Sequence, residues 1–209
     1  AVRAVAIDLA KNDFVLSCDA TNKLPVDFLQ QALSWFDDPQ VAAVFGRIWD
    51  ERELTLADRW RGRHLFRVKE AMAVRHGALL STYGCVIRRS AVLEAGNLDR
   101  SLRDSEEPDL GRRLLAAGFD VVFDPSLLVV SGVSNSLGQV LERYWRWYAG
   151  PEETMNVSGY MRQIWYSLKV MAGRDLQDGD LLSLLISLFS PHYQFWRAWA
   201  RRRSGRVQA

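Results

Sequence analysis

The stretch that decides the fold is FVLSCDAT, residues 14–21. A mostly apolar run of five residues is followed by a polar end, which is typical of a buried strand in a parallel sheet. Asp19 and Thr21 come directly after this run. In open α/β sheets ligands bind at the carboxyl ends of the strands, so both residues are candidates for a ligand site.

The segments on either side alternate between helical and strand patterns. Helical periodicity covers residues 1–10 and 24–36, and apolar runs predict strands at residues 41–48, 83–87 and 120–123. Helix and strand in alternation are the pattern of a layered domain. We therefore predict an α/β fold whose partial Rossmann-like, mostly parallel sheet is flanked by helices.

The remaining segments predict how the chain is organised. Residues 49–76 form an arginine-rich excursion with helical periodicity, which we expect beside the sheet. The last third of the chain is helical and rich in tryptophan, and no linker or internal repeat separates it. We expect an α/β domain at residues 1–150 and a helical C-terminal extension at residues 151–209.

Composition excludes several classes of protein. A chain of 209 residues that is 48% hydrophobic and 25% charged has the composition of a soluble globular protein. Its net charge of +2 is too small for a nucleic-acid backbone clamp. Cys18 and Cys85 lack CxxC spacing, which excludes a zinc or redox motif, and each is expected to be a small buried hydrophobe. We favour the cytosol.

Three further motifs follow FVLSCDAT in order. They are RRSAVLEAGNLD at residues 88–99, SEEPDLGRRLLAAG at residues 105–118, and RYWRW at residues 143–147. Together with FVLSCDAT, these motifs resemble the inverting family-2 glycosyltransferases, enzymes with a GT-A-like fold. The family's nucleotide-binding strand-helix units are expected upstream of Ala1. The chain is therefore expected to be the acceptor-side portion, lacking those N-terminal units.

The resemblance implies a nucleotide-sugar donor and transfer, with inversion, to a glycan or lipid-linked acceptor. It places the catalytic base at Glu107, where the family has an aspartate. The family's second metal-binding aspartate is Thr21 here, so binding of Mg²⁺ or Mn²⁺ would rest on Asp19 and is in doubt. The resemblance also implies which residues bind the substrates. The donor diphosphate is expected to be bound by Asp19, Thr21, Arg143 and Arg146, and the acceptor by Glu106, Asp109 and Trp147.

Each of these residues also has a structural interpretation. Asp19 could close a strand as a turn residue, and Glu106, Glu107 and Asp109 could be acids in the first turn of a helix. The arginines and Trp147 could belong to an amphipathic helix that packs on the sheet. The alternative function is thus a non-catalytic module of the same fold that binds glycan or a partner protein.

The C-terminal segment FWRAWARRR, residues 195–203, interleaves aromatic and basic residues. Such a segment can rest among lipid headgroups, or it can be a solvated tail. Because many glycosyl acceptors are lipid-linked, we favour a membrane-surface contact. The expected location is cytoplasmic and peripheral on the inner face of the membrane, with no nucleic-acid partner.

Overall fold

The computed structural model describes residues 2–50, 55–102, 106–148 and 155–205. Contacts divide the chain into two compact units. The first comprises Ala1–Glu51 and Glu70–Val133, and the second comprises Arg52–Lys69 and Ser134–Ala209. The expected domain boundary near residue 150 stays a prediction.

Helices and strands are numbered in chain order over the described residues. The helices are α1 Val2–Leu9, α2 Phe28–Leu33, α3 Leu56–Arg61, α4 Arg89–Glu94, α5 Glu106–Ala116, α6 Leu137–Tyr148, α7 Val157–Tyr166, α8 Ala172–Gln177 and α9 Leu181–Gly205. The strands are β1 Phe14–Cys18, β2 Asn22–Lys23, β3 Val41–Trp49, β4 Gly84–Arg88 and β5 Asp120–Ser131.

The first unit contains one mixed sheet with the strand order β1-β4-β3-β5-β2. β3 pairs in parallel with β5, whereas the β1–β4, β3–β4 and β2–β5 pairs are antiparallel. The prediction of an α/β fold is confirmed, and the prediction of a mostly parallel sheet is wrong. An apolar run indicates that a strand is buried, but the direction of the strand depends on the connections around it.

Helices cover both faces of this sheet because successive side chains of its central strands point to opposite sides. On β5, Val121 and Phe123 pack in the core cluster that includes α1, α4 and α5, whereas Val122 packs with α2. β4 alternates in the same way, with Cys85 in the first cluster and Val86 in the second. The strands are therefore apolar on both faces.

β1 lies at an edge of the sheet rather than in its centre. It is antiparallel to β4, and every second side chain faces solvent, including Leu16 and Cys18. The expectations of a buried parallel strand and a buried Cys18 are therefore wrong. Cys85, in β4, is buried as expected, and both thiols are free.

A large bulge interrupts the pairing of β3 with β5. Phe45 opposes Phe123 and Arg47 opposes Leu128, so Gly46 alone spans the intervening residues of β5. Pro125 cannot donate a ladder hydrogen bond and is accommodated in this bulge. A Cβ on Gly46 would lie 2.0 Å from the carbonyl oxygen of Leu127, so only glycine fits.

The second unit is helical, and its interior combines apolar and aromatic side chains with buried polar groups. Trp60, Tyr144 and Trp145 form part of its core, and α9 continues through Pro191 as one long helix. Arg61 and Asp58 form a fully buried ion pair at 3.2 Å. Among the described residues, no helix is long and apolar enough to cross a bilayer.

A buried hydrogen-bond network ties α8 and α9 to the turn after α3. The Asp175 carboxylate bonds His64 Nε2 at 2.8 Å and accepts the Ser187 hydroxyl at 2.5 Å. Arg63 lies 2.5 Å from the same carboxylate, and the Trp60 indole N–H donates to Ser187. Burial lowers the pKa of His64 despite the attraction of Asp175 for a proton there. His64 is therefore held in its neutral form inside this network.

Candidate active site

Asp19 begins a tight turn that joins β1 to β2. Its backbone N–H donates to the carbonyl oxygen of Tyr83 at 3.2 Å, and its own carbonyl accepts the N–H of Asn22 at 2.9 Å. The Thr21 carbonyl accepts the N–H of Gly132 at 2.7 Å. The Asp19 carboxylate is thus placed at the carboxyl end of β1 by backbone bonds, and its side chain is partly exposed.

Helix α5 presents its acidic first turn to the same region of the first unit. The helix begins at Glu106. Acidic residues in the first turn stabilise a helix through its dipole. This effect alone would be the structural interpretation of Glu106, Glu107 and Asp109. Glu107 has additional contacts that a capping acid would not need.

Arg3 joins Asp19 to Glu107. Its guanidinium donates to Asp19 Oδ1 at 2.8 Å and to Glu107 Oε1 at 2.6 Å, and it lies 3.6 Å from Glu106 Oε1. Acids from two separate motifs therefore meet at one cation on α1. We call these four side chains the Arg3 cluster.

Arg3 was absent from the sequence-based candidates because no motif contains it. Its partner Glu107 is distant in the chain, so no local spacing connects the two. The available signal was composition: Arg3 is the single basic residue of α1, a helix that is otherwise largely apolar. A cation on such a helix needs an acidic partner when the helix packs on a sheet.

Glu107 is held by three donors. Oε1 accepts from Arg3 and from the Thr82 hydroxyl, while Oε2 accepts the Thr82 backbone N–H at 3.2 Å. A carboxylate offers about four lone-pair positions, so among the described residues Oε2 keeps an open acceptor position. Glu107 can therefore accept another proton donor without losing its supports.

Two buried groups lie near this carboxylate. Burial, followed by electrostatic interaction with Cys85 and Glu107, raises the pKa of Tyr83 well above its usual range. Burial and Glu107 likewise raise the pKa of the Cys85 thiol. Both groups are neutral at ordinary pH, and the Tyr83 hydroxyl donates to the Gly46 carbonyl at 2.8 Å.

Asp109 has a different set of contacts. Its carboxylate accepts from Arg113 Nε at 2.9 Å, and Arg113 also donates to the backbone carbonyls of Ala95 and Asn97. Arg113 and Asp109 together hold the turn after α4, in which Asn97 has a φ of 59°. The structure therefore places Asp109 outside the Arg3 cluster, and its acceptor role stays a prediction.

The RYWRW motif lies on α6, in the second unit. Trp145 is 0% exposed, whereas Trp147 is 48% exposed and packs its ring against Phe66 with 6.1 Å between centroids. Arg146 is exposed and Arg143 is partly buried. Trp147 and Arg146 are therefore available to a ligand, and the proposed roles of α6 stay predictions.

The side chains at Asp19 do not fit a divalent cation. Asp19 Oδ1 is paired with the Arg3 guanidinium, and Thr21 offers a hydroxyl where a hard cation prefers a carboxylate. Across the described parts of the chain, no group of three His, Cys, Asp or Glu residues could hold a metal ion. Arg3 supplies the positive charge beside Asp19, and the chemistry below uses only side chains of this protein.

Comparison with known protein families gives one match that covers most of the chain. The model described as glycosyl transferase family group 2 matches residues 14–200. Two pre-mycofactocin glycosyltransferases, from Mycobacterium tuberculosis strains CDC 1551 / Oshkosh and ATCC 25618 / H37Rv, are each 26% identical to this chain. Each alignment covers 91% of this chain, which spans 43% of the length of either relative.

Comparison with solved structures gives more distant similarities. The mannosyltransferase PcManGT from Pyrobaculum calidifontis, in complex with GDP-Man and Mn²⁺, is 12% identical with a TM-score of 0.44, over 98% of this chain and 53% of its own. Residues 1–349 of TarS from S. aureus are 11% identical with a TM-score of 0.44, over 99% of this chain and 70% of that one.

Proposed function

The chain belongs to glycosyl transferase family group 2, and on this premise we propose that it forms part of an enzyme that transfers a sugar from a nucleotide-sugar donor to an acceptor hydroxyl. The observation that carries the proposal is the Arg3 cluster. Asp19 and Glu107, which the sequence motifs assign to donor and base roles, are joined by one guanidinium.

Glu107 acts as the general base in this proposal. The acceptor hydroxyl attacks the anomeric carbon of the donor as its proton passes to Glu107 Oε2. The bond between the anomeric carbon and the diphosphate oxygen breaks, and its electron pair leaves with the nucleoside diphosphate. Attack from the side opposite the leaving group inverts the anomeric centre. The open acceptor position on Oε2 supports this assignment.

Arg3 is a positioning residue in the same scheme. Two charge-assisted hydrogen bonds fix the Glu107 and Asp19 carboxylates relative to each other, and such bonds are stronger than neutral ones. Asp19 and Thr21, at the carboxyl end of β1, would then face the ribose or diphosphate of the donor. Because the base is already held in place, less free energy is needed to align it with the acceptor hydroxyl in the transition state.

We assign the leaving diphosphate and the acceptor sugar to residues of α6. The exposed Arg146 and the partly buried Arg143 offer guanidinium groups that can bind phosphate oxygens bidentately. The half-exposed indole of Trp147 offers a platform for the apolar face of a sugar ring. The acceptor is proposed to be a glycan or a lipid-linked sugar, and the enzyme to act at the inner face of a membrane.

The test is release of nucleoside diphosphate from a panel of nucleotide sugars, measured with glycan and lipid-linked acceptors. We expect Glu107→Gln to lower turnover by about 10²- to 10⁴-fold, because the amide keeps the shape but cannot accept the proton. Affinity for the donor should stay nearly unchanged.

Glu94→Gln is the matched control, since Glu94 is an exposed glutamate of the same unit. Its turnover should equal that of the parent. Turnover of Glu107→Gln within a factor of about three of the parent would assign the base to another group. Glycan binding without any release of diphosphate would favour the non-catalytic module.

A further inference from the structure

Helix α9 turns its large apolar side chains outward. Leu185 is 62% exposed, and exposed apolar residues lie three and four positions before and after it, on one face of the helix. The outward residues of α9 that are large and apolar are Leu181, Leu182, Leu185, Leu188, Phe189, Phe195, Trp196 and Trp199. A helix bathed in water on this side would carry polar residues there.

The opposite face of α9 is more polar than the exposed one. Ser183, Ser187, Ser190 and Gln194 are all buried against the rest of the second unit. The Ser187 hydroxyl donates to Asp175, and the Ser190 hydroxyl donates to the Ser187 carbonyl of the same helix. Ile186 and Ala198 are buried on this face as well. The amphipathic pattern of α9 is therefore inverted, with its apolar side facing out.

Helix α7 extends the same surface. Its outward side chains are Val157, Met161 and Trp165, and Leu168 continues the stripe just beyond the helix. The helix lies beside α9, because the ring of Tyr160 packs on that of Phe195 at 4.7 Å. The Tyr160 hydroxyl also bonds His192 Nδ1 at 2.6 Å. We call the combined surface the α7–α9 outer face.

The charged residues of the two segments that form this surface are all basic, and Arg197 pairs at 2.6 Å with Glu142 of the neighbouring helix α6. Residues 157–171 and 181–205 contain six basic residues, Arg162, Lys169, Arg197, Arg201, Arg202 and Arg203, and no acidic residue. Two of these cations lie over exposed indoles: Lys169 is 4.9 Å from the Trp165 ring and Arg203 is 3.8 Å from that of Trp199. Amphipathic aromatic and basic side chains of this kind settle at the boundary between lipid tails and headgroups.

We propose that the α7–α9 outer face binds an anionic bilayer, with α9 lying along the membrane surface. The inward side of α9 is packed against its own unit, so the helix can only meet lipid sideways. Leucine and aromatic side chains would enter the acyl boundary while the cations meet lipid phosphates. The net positive charge that these segments keep beside the Arg197–Glu142 pair is complementary to the phosphates of an anionic bilayer. The inference extends the proposed peripheral location and does not depend on the identity of the base.

The test is co-sedimentation of the full chain with vesicles of phosphatidylcholine, with and without phosphatidylglycerol. We expect binding to the anionic vesicles, weaker binding to phosphatidylcholine alone, and a loss of affinity at high salt because screening weakens the headgroup contacts. Leu185→Glu combined with Phe189→Glu should lower the affinity for anionic vesicles by about 30-fold or more, since each buried side chain contributes strongly to partition.

The matched control is Leu79→Glu, because Leu79 is also 62% exposed but lies in the first unit. It should bind vesicles like the parent. Trp165→Gln on α7 provides an independent variant, and circular dichroism should show that all variants are folded.

Equal vesicle binding by the parent and the Leu185/Phe189 variant would overturn the proposal, as would no sedimentation of the parent. Concentration-dependent dimers that the same variant abolishes, without vesicle binding, would assign the face to a second copy and also overturn it. Sugar transfer to a soluble acceptor is measured separately, so failure of vesicle binding is distinguishable from failure of the proposed enzyme activity.

Discussion

Two tryptophans of one motif should respond oppositely to truncation. Trp145 is fully buried, and truncating a buried tryptophan to alanine costs about 3 to 5 kcal/mol. The indole N–H of Trp145 has no hydrogen-bond partner among the described residues. Removing that unsatisfied donor returns about 1 kcal/mol or more, so we expect a net loss of about 3 kcal/mol. Trp147 is half-exposed and shares one ring contact with Phe66, worth about 0.5 to 1.5 kcal/mol.

Thermal melting of Trp145→Ala and Trp147→Ala, followed by far-ultraviolet circular dichroism, tests this difference. A unit of this size loses about 4 to 8 °C in melting temperature per kcal/mol. Trp145→Ala should therefore melt about 12 to 24 °C below the parent, and Trp147→Ala about 2 to 12 °C below it. Trp145→Phe keeps an aromatic ring, although a smaller one, and removes the unsatisfied N–H, so it should melt above Trp145→Ala. A larger fall for Trp147→Ala than for Trp145→Ala would assign Trp147 to the core and remove it from the acceptor site.

The remaining predictions concern the Arg3 cluster, the buried network and the sheet. Arg3→Met should cost under about 1 kcal/mol in a denaturant melt because its ion pairs are partly exposed, yet lower turnover by about 10- to 100-fold in the diphosphate-release assay. The folded-state pKa of His64 is lowered from 6.5, so the unfolded chain takes up that proton first. As the pH decreases below 6.5, the free energy of unfolding should therefore fall by up to about 1.4 kcal/mol per pH unit. His64→Gln should reduce this dependence of stability on pH. Gly46→Ala would drive a Cβ into the Leu127 carbonyl, so it should cost more than the roughly 3 kcal/mol of ordinary overpacking and lower the melting temperature accordingly.

Each of these changes has a control on the same chain. Arg100→Met removes an exposed ion pair of the first unit and should leave turnover intact. His192→Gln is the same substitution at an exposed histidine, whose ring bonds the Tyr160 hydroxyl rather than the buried network. Gly138→Ala, on α6 with open space around the new methyl group, should be neutral or stabilising. Matching behaviour of a variant and its control would contradict the corresponding prediction.

Periodicity in the sequence was sufficient to locate most elements of the first unit. The apolar run at residues 41–48 corresponds to β3, and residues 1–10 contain α1. Strand direction and position were not predictable in this way. β1 is as apolar as a central strand, but it has one neighbouring strand rather than two, so Leu16 faces solvent. β5 continues beyond Pro125 because Gly46 makes room for the bulge, a tertiary contact that no local pattern contains.

The candidate site was predictable in part. Motif order selected Asp19 and Glu107, and the structure brings both to Arg3. Arg3 itself could not be selected, because its contacts form only when α1, β1 and α5 fold together. Asp109 belongs to the same motif as Glu107, but the side chain of Arg113 holds it elsewhere. Sequence spacing places side chains on one helix and does not say which neighbour each will meet.

The exposed position of Cys18 gives the molecule a built-in attachment point for a spectroscopic label. The chain has two cysteines, and Cys85 is sealed inside the sheet with a raised pKa, so a maleimide dye should add at Cys18 alone. Burial and the charge of Asp19 raise the pKa of the Cys18 thiol, which makes mildly alkaline conditions suitable for the coupling. A fluorophore there would sit one residue from Asp19, where its emission can report events at the carboxyl end of β1 without any substitution in the chain.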